Sequence, residues 1–174
     1  MFGMEQLAPI RLARIGLLIF LGVIAIYLEA APLGLATTAQ PSPDLLLCVV
    51  AYWSIRRPGS TPVLLIFLLG AMRDLLTDVP DGAGALSLVV ASEMLKHRRR
   101  RFMRANFAVE WTAVAIAALA VAAMHWVLVI LTFARPPYLI DLVHQSVYTI
   151  MAYPLMALFF RWILRISWKR MEAV

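Results

Sequence analysis

From Trp111 to Phe133 the sequence contains no Asp, Glu, Lys or Arg. A helix needs about 20 apolar residues to cross the hydrocarbon core of a bilayer, so this stretch alone points to lipid as the solvent. The rest of the chain agrees. Of its 174 residues 63% are hydrophobic and 15% charged, with a mean hydropathy of +0.83. A soluble domain is about 45–50% apolar, and a chain this short cannot bury the excess. These figures exclude a soluble globular domain. They also exclude a disordered chain, which requires low hydrophobicity.

Apolar runs and turn signals divide the chain into one polytopic membrane domain over 1–174, with six expected spans at 15–35, 43–57, 60–78, 82–96, 108–133 and 142–166. Turn residues separate them: Pro41-Ser42-Pro43-Asp44, Pro58-Gly59, Pro80-Asp81-Gly82 and Arg135-Pro136-Pro137. Spans two to four are short and interrupted, and read either as crossings or as hairpins that stop within the membrane. Arg11 and Arg14 ahead of an apolar run resemble a signal peptide, but the apolar character continues past Glu29, which suits a retained helix. Pro154 falls inside span six, where a neighbour must satisfy the carbonyl it frees.

Charge gives an orientation. With the N-terminus in the cytoplasm, 14 of the 16 Lys and Arg residues fall in inner segments, leaving Arg135 outside and Arg73 within a span. Both termini are then cytoplasmic. The formal net charge of +6 is accounted for by loops that face anionic lipid rather than nucleic acid. The densest of these is Lys96, His97, Arg98, Arg99, Arg100, Arg101 and Arg104, a basic patch that also suits an acidic cytoplasmic partner. Trp53, Trp111, Trp162 and Trp168 all fall near the expected inner interface, as an aromatic belt would.

Ionisable residues within spans are costly and carry information. Arg73, Asp74 and Asp78 are the most informative; Asp74 and Asp78 share a helix face with Gly70. That face reads either as a docking surface or polar pocket, or as an outer headgroup contact. Glu29 reads as an interfacial carboxylate, Glu93 as a helix-surface partner of Lys96, and Glu110 as an anion at a helix N-terminus. His125 reads as a buried histidine bonded to a neighbouring helix, and Asp141 as a cap for span six. Cys48, amid leucines and valines, reads as packing. The sequence has no phosphate-binding loop, no nucleophile elbow and no zinc-binding helix motif. No catalytic, cofactor or metal residues are assigned.

Four segments in order carry a resemblance: Pro43-Asp44-Leu45-Leu46-Leu47, Tyr52-Trp53, Gly70-Ala71-Met72-Arg73-Asp74-Leu75-Leu76 and Gly82-Ala83-Gly84-Ala85-Leu86. In order and spacing they resemble the bacterial rod shape-determining protein MreD family over residues 43–90, with Arg73 as a departure from its usual apolar residue. The resemblance implies a non-catalytic inner-membrane subunit of the rod complex, or elongasome. Its implied partners are MreC, MreB, a RodA-type SEDS glycosyltransferase and a class B penicillin-binding transpeptidase, with a second copy of the chain as a further candidate. It also implies a six-helix bundle similar to the S components of energy-coupling-factor vitamin transporters. A small-molecule-binding component of that kind is the alternative reading, with Glu29, Asp74, His144 and Tyr148 as its pocket.

Overall fold

A computed structural model describes residues 7–30, 42–76, 82–98, 107–131 and 138–171, with side chains described from 11 to 162 of these. Among them every regular element is helical: α1 (Leu7–Ala30), α2 (Leu45–Arg56), a 3-10 turn (Pro58–Ser60), α3 (Val63–Leu76), α4 (Ala83–His97), α5 (Phe107–Leu131) and α6 (Leu139–Met171). Six helices stand where six apolar segments were expected. Three of them, at Arg11–Ala30, Phe107–Leu131 and Leu139–Trp162, are long and apolar enough to cross a membrane. Among the described residues the protein is all-helical, with three candidate membrane spans.

The other three helices have 12, 14 and 15 residues. At 1.5 Å per residue they reach about 18–23 Å, short of a hydrocarbon core of about 30 Å. The expected spans 43–57 and 60–78 are longer than helices α2 and α3, whereas 82–96 matches α4 in length and is shifted by one residue. In α2, Asp44 accepts the Leu47 amide as N-cap and Pro58 follows the C-cap Arg57. At the start of α4, Gly82 occupies the left-handed region with φ 91°, a conformation costly for any residue with a Cβ.

The shortest helix is the most buried. Every residue of α2 from Leu46 to Ile55 is buried, with α1, α4 and α6 against its sides and α5 near it as well. Its lack of a polar face follows from that position. Near its C-terminal end the rings of Tyr52, Trp53 and Phe160 meet edge to face or tilted, with centroids 5.2–5.9 Å apart. Trp53 is 1% exposed, so it is a core residue and not part of a lipid-facing belt. Trp111 and Trp162 are exposed.

α3 buries a single stripe, Ile66, Leu69, Gly70 and Asp74, at the spacing of one helix face. It packs on α4 and, less extensively, on α1. Pro154 lies within the continuous α6. Its ring removes the N–H that would reach the carbonyl of Ile150. Trp111 Nε1 donates to that carbonyl at 2.9 Å, which is the neighbour's compensation that the sequence called for.

Candidate functional site

The charged side chains gather at the two ends of α2. At its N-terminal end Asp44 makes three ties. One carboxylate oxygen accepts from Leu47 N at 2.7 Å, the other accepts from Arg73 at 2.8 Å, and its own amide donates to Thr149 Oγ1 at 2.8 Å. Glu29 of α1 accepts from Leu46 N at 2.8 Å. One helix N-terminus thus receives a carboxylate from its own cap and another from a neighbouring helix.

Asp74 serves α4 in the same way. The N-cap of α4 is Gly82, which has no side chain to offer. Asp74 of α3 supplies the missing acceptor, taking the Ala85 amide at 2.9 Å. Its other oxygen lies against Gly84 and 3.9 Å from Arg73 Nε. A Cβ on Gly84 would collide with that carboxylate, and a Cβ on Gly70 would lie 2.6 Å from the Cα of Ala85. Both glycines are therefore required by close approach of α3 to α4. Three carboxylates face one arginine and two helix N-termini here, and the helix N-termini carry partial positive charge that favours them.

At the C-terminal end of α2, Arg56 forms an ion pair with Glu110 of α5 at 2.5 Å. Glu110 also accepts from Tyr153 of α6 at 2.8 Å. Nearby, Lys96 at the end of α4 donates to Thr61 O at 2.6 Å and to Glu93 at 2.8 Å. Arg161 lies 5.7 Å from the centre of the Phe107 ring.

The residues singled out from sequence divide clearly. Asp44, Arg73, Asp74 and Gly84 come together, with Gly70 one turn below and Gly82 at the same helix start. Pro43 precedes them, half-buried. Tyr52 and Trp53 lie at the opposite end of α2, within the core. Asp78, Asp81, Arg99, Arg100, Arg101 and Arg104 fall outside the described residues; Lys96 is half-buried and Arg98 exposed. Glu29 was read as reaching for headgroups and instead turns to the α2 N-terminus. His125 is half-buried on α5. The pairing of Arg73 with Asp44 across 29 positions was not anticipated, nor were the roles of Thr149, Ala85 and Tyr153. The available signal was Asp44 itself: a carboxylate at a helix start is a natural partner for an arginine stranded in a span.

The sequence model of the rod shape-determining protein MreD family matches residues 10–166. The chain belongs to the MreD family. No curated protein and no solved structure matches it. The MreD match extends well beyond residues 43–90, where the motifs lie, and takes in both charge networks. In this MreD-family chain the motif residues are ties between helices: the Pro-Asp segment caps α2, the Tyr-Trp pair fills the core, and the two glycine segments let α3 meet α4.

Proposed function

We propose that the protein is a non-catalytic, multi-pass subunit of the rod complex in the bacterial inner membrane. In this reading it binds MreC and helps organise lateral peptidoglycan synthesis around MreB, a RodA-type glycosyltransferase and a class B transpeptidase. Family membership places it among rod shape-determining proteins. The observation that carries the finer reading is the use made of the motif residues. Gly70, Asp74, Tyr52 and Trp53 are all buried, and Asp74 is spent on capping α4. They support a rigid bundle whose outer helix faces remain for partners. All six helices cross in this reading, with the short α2 enclosed by its neighbours, α3 and α4 each keeping an exposed apolar face, and both termini in the cytoplasm.

The vitamin-binding alternative needs Glu29, Asp74, His144 and Tyr148 to converge. Glu29 and Asp74 are bonded to backbone amides, whereas His144 and Tyr148 are exposed on α6, with rings 6.3 Å apart. That geometry favours the scaffold.

The test is co-expression with and without the candidate MreC, followed by purification in detergent. Co-purification at fixed stoichiometry, and cell rounding when the chain is depleted, are the expected results. A protein that ignores MreC while retaining a small molecule detected by mass spectrometry would reverse the choice. Gly70→Leu belongs in the same experiment as a control: it should lose the protein itself, with or without MreC, because Gly70 faces Ala85 and not a partner.

A further inference from the structure

The helices differ in the height of the apolar belt they show to the outside. On α5 exposed apolar side chains run from Val109 to Leu131, and on α6 from Leu139 to Trp162. At 1.5 Å per residue both belts are about 33–35 Å tall, enough for a hydrocarbon core of about 30 Å. α3 and α4 lie side by side and fall well short. Exposed apolar residues of α3 run from Val63 to Leu76, and those of α4, Leu86, Val90 and Met94, come once per turn. Polar positions close this belt. Ser60 and Thr61 precede α3 in sequence, Thr77 and Asp78 follow it, and Glu93, His97 and Arg98 are exposed at the end of α4. The belt on this side is therefore about 17–20 Å tall, and any tilt of the two helices lowers it further.

A short apolar belt meets a thicker bilayer in one of three ways. Long charged side chains reach outward to the headgroups, the short surface pairs with another, or the bilayer thins. The first way is largely closed here. Arg73, near the end of α3, turns its guanidinium inward to Asp44 at 2.8 Å. Lys96, in the last turn of α4, gives its ammonium to Thr61 O at 2.6 Å and to Glu93 at 2.8 Å. Both cations are engaged within the protein and do not extend the belt.

We propose that the chain thins the bilayer along its α3–α4 face by about 10 Å, so that this face is a surface for short-chain lipid while the α5–α6 face meets a bilayer of ordinary thickness. The proposal rests on the reading that α3 and α4 cross the membrane. It concerns the chain by itself and involves no other protein of the rod complex. Strain grows with each ångström of mismatch, so short acyl chains stabilise the chain and long ones destabilise it.

Leu64→Cys and Leu75→Cys, at positions 69% and 73% exposed, mark the two ends of α3, and Val109→Cys and Leu131→Cys mark those of α5. Cys48 is fully buried, so wild type gives the labelling background. Each full-length variant is spin-labelled in dioleoyl phosphatidylcholine, and depth is read from collisions with oxygen and with a water-soluble nickel chelate. An impermeant thiol reagent, applied to spheroplasts and to inverted vesicles, gives the side. The α3 labels should lie on opposite sides and both at headgroup depth, like the α5 pair, although α3 separates them by only about 17 Å. Opposite sides with either α3 label deep in hydrocarbon overturns the thinning and leaves the crossing intact. The same side for both overturns the crossing, and the proposal with it. Spin–spin broadening between α3 labels on two copies shows pairing of the short faces and overturns the lipid assignment. Where Leu75→Cys does not fold, Leu76→Cys, at a position 50% exposed, takes its place. Thermal unfolding supplies the second readout. The melting temperature should fall by several degrees from dimyristoleoyl to dierucoyl phosphatidylcholine. Glu93→Leu with His97→Leu, which lengthens the α4 belt by about one turn, should recover part of that fall. A melting temperature that is flat across the lipid series also overturns the proposal.

Discussion

The two ends of α2 solve one problem, charge inside a membrane protein, by different means. At the N-terminal end, Arg73 and Asp44 have side chains 12% and 8% exposed, and the carboxylates around them are bonded to backbone amides. At the C-terminal end, Arg56 is 29% exposed while Glu110 is 4% exposed, and the supporting donor is a tyrosine hydroxyl. The first network ties helix starts together, so the positions of α1, α2, α3, α4 and α6 all depend on it. The second joins side chains of α2, α5 and α6 to one another. Damage at the first end should therefore spread through the fold, and damage at the second should stay local.

The largest effect should come from filling the space between α3 and α4. Gly70→Ala places a methyl group against backbone, which cannot yield as a side-chain tip can. Overpacking costs about 1–3 kcal/mol in ordinary sites, and this one lies at or beyond the top of that range. Gly84→Ala should be comparably severe, because it expels the carboxylate that caps α4. Size-exclusion profiles and thermal unfolding in detergent read both. A near-normal melting temperature for Gly70→Ala would show that the two helices separate freely, and the contrast between the ends would lose its basis.

Next in size is the contrast between the arginines. Arg73→Met leaves Asp44, Asp74 and Glu29 without their cation, and breaking a buried pair in this way costs about 3–5 kcal/mol. Arg56→Met removes a pair whose arginine is partly exposed and whose carboxylate keeps the Tyr153 hydroxyl, and should cost less than Arg73→Met. Double-mutant cycles give the decisive comparison: the coupling of Asp44 with Arg73 should exceed that of Arg56 with Glu110. Equal couplings would mean that burial does not separate the two networks.

The sequence makes the elements legible and leaves their pairings largely hidden. Long apolar runs show α1, α5 and α6 directly, and Pro and Gly mark the ends of α2 to α4. The Glu93–Lys96 pair follows from spacing on one helix. By contrast, Arg73 has Asp74 next to it and Asp78 on its far side in sequence, yet its close partner is Asp44. Only the packing of α3 beside the start of α2 decides that. Glu29 is a similar case. At the end of an apolar span a carboxylate can face headgroups or turn inward, and the free amides of α2 provide the inward option. Trp53 shows the limit of interface patterns, because depth in the membrane and depth in the bundle look alike in one dimension. The compensation of Pro154 was predictable in kind, but the donor, Trp111, required the structure.

That compensation gives a prediction of intermediate size. Trp111→Phe keeps the ring and removes the donor to Ile150 O. It should cost about 1 kcal/mol, the usual value of a hydrogen bond. In a Pro154→Ala background the helix can satisfy that carbonyl with its own amide, so the cost of Trp111→Phe should shrink. An unchanged cost would mean that Trp111 contributes by packing alone, and that the freed carbonyl is served in some other way.

The smallest effects should come from the partly solvated contacts of α4, and they sharpen the comparison from its weak side. Glu93 is half-exposed and pairs with Lys96 one turn along the same helix, an arrangement worth about 0.3–0.5 kcal/mol. Glu93→Gln should barely shift the melting temperature. Lys96→Met should shift it more, because the same ammonium also donates to Thr61 O and fastens α4 to the turn before α3. Raising the salt concentration separates the two contributions. Screening weakens the exposed ion pair, while the bond to a buried backbone carbonyl persists. The difference between the two variants should therefore survive at high salt. If both variants become indistinguishable there, Lys96 acts only as a surface charge and α4 is held at its C-terminal end by packing alone.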